Sequence, residues 1–239
     1  MIDSRKNVCI IPARGGSKRI PRKNIRSFSG KPIIAYSIDA ALQSKCFGRV
    51  VVSTDDEEIA EVAKEYGATV PFIRPAALAD DHTGTLEVVN HAVTWIKTHL
   101  QPYIHYVCCL YATAPFTTPE SLISALNKLR ASPEKQFCFS VAKFRAPIQR
   151  AFKLSDNRGI EMFYPECYES RSQDLATAYY DAGQFYWGKV SAFSENPSLY
   201  SDLSIAHILP DHLVQDIDTE EDWHRAERLY QLQSNHPQS

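Results

Sequence analysis

No C-x-x-C pair, no H-E-x-x-H run and no apolar stretch of about 18 residues occurs in the 239-residue sequence, so neither a sequence-local zinc site nor a membrane-spanning helix has support. The opening run MIDSRKNVCIIPARGG is too short in apolar residues for a secretory leader, and the expected compartment is the cytoplasm. Glycine is scarce, at 9 residues beside 14 prolines, and no low-complexity segment or internal repeat breaks the chain. An excess of positive charge is missing too. With 26 Lys and Arg against 28 Asp and Glu the net charge is −2, which argues against a nucleic-acid binder and leaves only local attraction for anions. Both common nucleotide fingerprints, G-x-G-x-x-G and G-x-x-x-x-G-K-[ST], are absent, which disfavours hydride transfer and P-loop hydrolysis. The six cysteines, Cys9, Cys46, Cys108, Cys109, Cys138 and Cys167, read as reduced core thiols.

What is present is alternation. Val8–Ile11 reads as a strand, Ile34, Ile38, Ala41 and Leu42 recur at helical spacing, and Arg49–Ser53 reads as a second strand. A helix then opens on Asp55-Asp56-Glu57-Glu58, carries Ile59, Val62, Ala63 and Tyr66 on one face, and closes at Gly67. Thr69–Ile73 reads as a third strand, 85–100 as a helix, His105–Tyr111 as a fourth strand, the stretch after Pro119 as a helix and Phe137–Phe144 as a fifth strand. Such β/α alternation predicts a Rossmann-like, doubly wound α/β fold around a mostly parallel mixed sheet. One domain over 1–239 is expected, with an inserted aromatic and charged arm at about 147–182 that holds a hairpin-like turn at Asp156-Asn157-Arg158-Gly159. Phe185–Val190 and Ile205–Leu209 supply late strands, and a helix from Thr219 carries Trp223, Ala226 and Tyr230.

The turn after the first strand reads PARGGSKRIPRKN. Between Asp3 and Asp39 there is no acidic residue, while Arg5, Lys6, Arg14, Lys18, Arg19, Arg22, Lys23, Arg26 and Lys31 are all cationic. In α/β sheets ligands bind beyond the carboxyl ends of strands, so this turn is suited to a polyphosphate. Gly15 and Gly16 allow close backbone approach, Ser17 offers a hydroxyl, and Arg14, Lys18 and Lys23 offer charge. A plain solvated basic loop is the competing reading. Near the other end, Gln215-Asp216-Ile217-Asp218-Thr219 places two carboxylates at i and i+2, on one side of an extended segment, where they can share a divalent cation. Equally, Asp218 or Thr219 can serve as the N-cap of the final helix.

The runs IPARGGSKRIPRKNI, GKPIIAYSI, VVVSTDDEEIAEVA, RPAALADDHTGT, RSQDL, DAGQFYWG and QDIDTEEDW together resemble the acylneuraminate cytidylyltransferase family, the CMP-sialic acid synthetases. Tyr111-Ala112-Thr113-Ala114-Pro115-Phe116 differs from the Gln-Pro-Thr-Ser-Pro stretch usual in the sialic acid enzymes and looks like the branch that uses pseudaminic acid. The resemblance implies transfer of CMP from CTP to the anomeric hydroxyl of a nine-carbon 2-keto sugar acid, with release of pyrophosphate, for surface glycan or flagellin glycosylation. It implies Mg²⁺ as cofactor, a dimerisation arm and a homodimer, with no nucleic-acid or membrane partner. Arg14, Ser17 and Lys18 would hold the CTP phosphates within the stretch Ala13–Lys18, with Lys23 and Asn24 lining the same site and Arg74 and Thr85 on cytidine. Arg14, Lys18 and Lys23 would neutralise charge in catalysis, Asp216 and Asp218 would bind Mg²⁺, and Tyr111, Arg171, Gln173, Asp181 and Gln184 would form the sugar pocket. Synthesis of CMP-sialic or CMP-legionaminic acid, and a non-catalytic nucleotide-sensing module, are the alternatives.

Overall fold

A computed structural model describes residues 4–80, 83–156, 158–195 and 198–235. Strands β1 (Val8–Pro12), β4 (Arg49–Ser53) and β5 (Tyr106–Leu110) are short and almost wholly apolar, as strands covered on both faces must be. Between β1 and β4 lie the two-residue strands β2 (Ser27–Phe28) and β3 (Lys31–Pro32) and helix α1 (Ile33–Ser44). Helices α2 (Glu57–Glu65) and α3 (Thr85–His99) precede β5, and α4 (Pro119–Ala131) leads to β6 (Phe137–Lys143). The chain continues through β7 (Phe152–Leu154), β8 (Ile160–Met162), β9 (Tyr179–Lys189), α5 (Val190–Glu195), β10 (Ser204–Ile208) and α6 (Glu220–Asn235).

The main sheet has six strands in the order β4-β1-β5-β9-β6-β10, and β9 alone runs antiparallel to its neighbours. The mostly parallel mixed sheet expected from the sequence is therefore present. Connections from β1 go toward β4, whereas those from β5 go the other way, to β6. The carboxyl ends of β1 and β5 thus diverge at a topological switch point, where α/β sheets open a crevice.

Two apolar clusters cover the sheet faces, one around Ile34, Ile38, Leu122 and Trp187 and the other around Val89, Ile96, Phe137 and Phe193. A third cluster joins Ile20, Phe28, Ile33 and Tyr36 to Ile217, Trp223 and Ala226, so the basic turn and the Asp216–Asp218 stretch share one small core. Cys9, Cys46, Cys108, Cys109 and Cys138 are buried free thiols, while Cys167 is half-buried.

Several expectations need correction. Thr69–Ile73 forms only isolated bridges, Val51 with Thr69 and Thr54 with Ile73, because Pro71 removes a ladder donor in the middle of the run. Leu42, which recurs at helical spacing with Ile34, Ile38 and Ala41, is 43% exposed, unlike those three. The arm ends earlier than 182, since residues 179–182 already belong to β9 and 179–181 pair with β6. The β7–β8 hairpin falls where the turn was expected, closed by Ser155 N–H donating to the Gly159 carbonyl, and Asn157 lies outside the described residues.

Candidate active site

The basic turn leaves β1 and doubles back before α1. Its first half is fixed by backbone geometry: Ala13 N–H donates to the Ser53 carbonyl at 2.9 Å, Ser17 N–H to the Gly15 carbonyl at 3.0 Å, and Asn24 Nδ2 to the Arg14 carbonyl at 2.9 Å. A cleft of about 500 Å³ lies below it, lined by Arg14, Ser17, Lys18, Lys23, Asn24, Arg74, Thr85, Tyr111 and Asp218, among others. Seven of the proposed nucleotide and catalytic side chains are therefore gathered at the switch point. Ala13 is not among them: it is 1% exposed and packs in the core. Asp81 and His82, within the run that links Arg74 to Thr85, lie outside the described residues.

Arg74 is 4% exposed, its Nε has no hydrogen-bond partner, and its Nη2 lies 3.4 Å from Asp55 Oδ1. Burial lowers its pKa below the usual guanidinium value, with Asp55 opposing that shift. A buried, incompletely paired guanidinium facing a cleft is suited to a polar ligand group.

An adjoining chamber of about 270 Å³ shares Lys23, Tyr111 and Asp218 with the cleft and adds Gln184, Gln215 and Asp216. Lys23 Nζ donates to the Ile217 carbonyl and stands 3.5 Å from Asp218 Oδ1, and Arg19 Nη2 reaches the same oxygen at 2.9 Å. The basic turn and the acidic stretch, 194 residues apart in sequence, thus meet at one point. The question of which residue caps α6 is settled by a reciprocal pair. Thr219 Oγ1 accepts from Asp222 N–H at 3.2 Å, and Asp222 Oδ2 accepts from Thr219 N–H at 3.0 Å. Asp218 is left facing the cations. Although solvent reaches Asp216, partial burial and the neighbouring Asp218 charge raise its carboxyl pKa. Two like charges held close together in an oxygen-rich chamber fit a divalent cation that also binds phosphate. Among the described residues no group of three or more His, Cys, Asp or Glu side chains converges on a metal position.

Gln184 is 3% exposed and held at both ends of its amide, donating from Nε2 to the Leu213 carbonyl and accepting from Thr117 Oγ1 at 3.1 Å. A break in the β6–β9 register aims it there. Gly183 adopts a left-handed φ of 61°, and Ser140 Oγ accepts from the N–H groups of Gln184 and Phe185 at 3.2 Å each. Tyr111 borders both chambers and a third one of about 490 Å³, and its hydroxyl lies 3.1 Å from Thr85 Oγ1. In that third chamber Asp181 Oδ2 accepts from the hydroxyls of Tyr186 at 2.7 Å and Tyr200 at 3.1 Å. Burial raises the pKa of both Tyr111 and Tyr186, so each remains a neutral phenol.

Arg171 and Gln173 do not join the other sugar-pocket candidates. They are exposed on a turn of the arm and line none of these chambers. Conversely, Asp55, Thr117 and Tyr186 help shape the site without having been singled out for it. The acidic pair after β4 was a usable signal for Asp55, since it is the first adjacent pair of acids after a turn free of acids.

Residues 8–178 match the family model described as Cytidylyltransferase. The pseudaminic acid cytidylyltransferase of Campylobacter jejuni is 50% identical over 227 residues, covering 95% of this chain and 97% of that protein. The CMP-N,N'-diacetyllegionaminic acid synthase of Legionella pneumophila is 34% identical over 234 residues, covering 94% and 96%. Among solved structures, CMP:2-keto-3-deoxy-manno-octonic acid synthetase complexed with CTP superposes with a TM-score of 0.68 over 95% of this chain and 99% of that one. Its 17% identity bears on the fold alone. A phosphate-suited turn at the switch point of a mixed sheet agrees with these matches, and the chain belongs to the cytidylyltransferase family.

Proposed function

We propose that the chain transfers CMP from CTP to the anomeric hydroxyl of pseudaminic acid and releases pyrophosphate. The observation that carries this reading is the pair of adjoining chambers that meet at Lys23, Tyr111 and Asp218, supported by the 50% identity to a pseudaminic acid cytidylyltransferase. Nucleotidyl transfer needs alignment of the sugar oxygen behind the α-phosphate and neutralisation of the charge that develops there. Arg14, Ser17 and Lys18 would hold the triphosphate over the cleft, Arg74 and Thr85 would face the base, and Lys23 would stand where the two substrates meet. Asp216 and Asp218 would hold Mg²⁺, which when bound supplies positive charge to the phosphates. Tyr111 would turn its ring to the apolar part of the sugar, with Gln184 and Asp181 on the polar side.

The second half of the reading concerns assembly and compartment. Phe152, Leu154, Ile160, Phe163, Tyr164 and Tyr168 are exposed on the arm, an apolar surface suited to a second copy of the chain. Homodimerisation would cover it and bring Arg171 and Gln173 toward a subunit boundary. Light scattering at micromolar concentration is expected to give twice the mass of one chain; a monomer would refute the dimer. Five buried free thiols suit a reducing cytoplasm, and among the described residues no helix is long and apolar enough to cross a membrane.

The deciding experiment is pyrophosphate release with CTP and Mg²⁺ and either pseudaminic acid, N-acetylneuraminic acid or Kdo, with ATP, GTP and UTP as controls. Release with CTP and pseudaminic acid is expected. Release only with another sugar would move the substrate, and silence with every pair would leave a nucleotide-binding module.

A further inference from the structure

Two acids follow β4 where its carboxyl end lies beside that of β1, and between them they hold the cationic turn at both ends. Asp55 Oδ1 accepts from Gly15 N–H at 3.1 Å and also lies 3.4 Å from Arg74 Nη2. Asp56 takes the far end, with Arg22 Nη1 2.5 Å from Oδ2 and Arg22 Nη2 3.0 Å from Oδ1, while Oδ1 also accepts from Ile59 N–H to cap α2. Arg22 has a left-handed φ of 54°, a strained geometry for a side chain of this size unless its surroundings impose it. The residues suspended between these anchors, Ser17, Lys18 and Arg19, border the cleft.

Asp55 differs from Asp56 in joining two parts of the site. On one side it holds an amide of the turn; on the other it is the acid paired with a guanidinium that is almost fully buried. A single carboxylate oxygen can accept both donors, and its charge offsets the cost of burying the arginine. Removing it would release the start of the turn and leave Arg74 without its counter-charge.

We propose that Asp55 is a positioning residue: by tying Gly15 N–H to Arg74 it holds the phosphate-gripping and base-facing ends of the cleft in one frame. The proposal rests on reading that cleft as the nucleotide site. Substitution separates its two bonds. Asp55→Asn keeps an acceptor for Gly15 N–H but loses the charge, and Asp55→Ala loses both.

The test combines hydrogen–deuterium exchange of the ligand-free turn, CTP binding by calorimetry and steady-state kinetics. For Asp55→Ala we expect exchange at residues 15–19 to rise about tenfold and CTP affinity to fall about tenfold or more, the size of a lost hydrogen bond to a charged group. Should that variant fail to fold, Asp55→Asn is decisive: a CTP affinity about fivefold weaker, KM for CTP raised and KM for the sugar unchanged, with a lower melting temperature from the unpaired Arg74 guanidinium. CTP binding by Asp55→Asn within twofold of wild type overturns the proposal, as does a parallel shift of both KM values. The exchange measurement requires no nucleotide, so unchanged exchange in Asp55→Ala refutes the anchoring by itself. Failure of the wild-type chain to bind CTP would instead refute the nucleotide reading.

Discussion

Gly15 and Gly16 stand side by side in the turn and answer different demands. A Cβ on Gly15 would lie 2.6 Å from Asp56 Oδ2 and 3.1 Å from Asp56 Cβ, so this position is glycine because the acidic pair packs against its backbone. A Cβ on Gly16 would meet nothing within 4 Å beyond its chain neighbours. Gly15→Ala should therefore displace the turn, lowering the melting temperature and reducing pyrophosphate release together. Gly16→Ala should melt as wild type, and any rise in its KM for CTP then reports contact with nucleotide alone. Equal melting of the two variants would overturn this division of labour. Asp216 carries a different cost. Its raised pKa means that the folded state holds the proton more tightly than the unfolded chain, so stability falls as pH rises through the range just above the ordinary value of 3.8. At neutral pH the full penalty is present. Asp216→Asn should thus raise the melting temperature at pH 7.5 while abolishing pyrophosphate release, and the gain should vanish near pH 3. A melting temperature lower than wild type at pH 7.5 would show that the charge is not a burden.

Helix α6 is the element that joins the two halves of the site. Trp223 is 1% exposed and meets Phe28 edge-on at 5.5 Å, while Arg26 stacks over its indole at 4.6 Å and also pairs with Glu220. The aspartates that precede the helix are thereby set against Lys23 through packing as well as charge. Trp223→Ala should cost about 3–5 kcal/mol, the usual range for emptying an aromatic core position, measured by urea denaturation. It should also raise the Mg²⁺ concentration needed for half-maximal rate. Stability loss with an unchanged Mg²⁺ response would show that the helix supports the fold without setting the acidic stretch.

The same element shows what the sequence could and could not disclose. The Thr219 and Asp222 spacing that starts α6 is local, and so were the alternating strands and the turn after β1. The failures involve contacts between distant residues. Thr69–Ile73 has strand-like composition, yet Pro71 denies it a ladder. Tyr179–Asp181 looks like the rest of the aromatic arm, yet it pairs with β6 because β9 crosses the sheet against its neighbours. Arg171 and Gln173 sit on an exposed turn of the arm, and a motif carries no information about where its loop packs. The acidic pair that holds Asp55 was visible at the start of a helix, but its bonds to Gly15 and Arg74 were not, because they span 40 and 19 residues.

At the scale of the whole molecule, the acidic stretch depends on the far edge of the sheet. Among the described residues strand β10 pairs only with β6, and its end runs through Leu209, whose N–H donates to the Val141 carbonyl at 2.9 Å, toward Leu213 and then Asp216. His207 lies on this strand, 7% exposed, beside the Phe185 ring at 5.7 Å and near Lys128 of α4, with Nδ1 unpartnered. Burial, aided by the Lys128 charge, pushes its pKa from 6.5 down to about 4. The unfolded chain takes up the proton near 6.5 while the folded chain refuses it until about 4, so stability is constant above that window and falls as pH drops through it. The loss amounts to at most about 3 kcal/mol for one such group. His207→Gln should flatten the decline between pH 6.5 and 4, even if it lowers stability at pH 7.5 by removing ring contacts. Urea denaturation at both pH values, for wild type and variant, measures that difference. An identical pH slope in the two proteins would mean that the edge strand does not sense acid through His207.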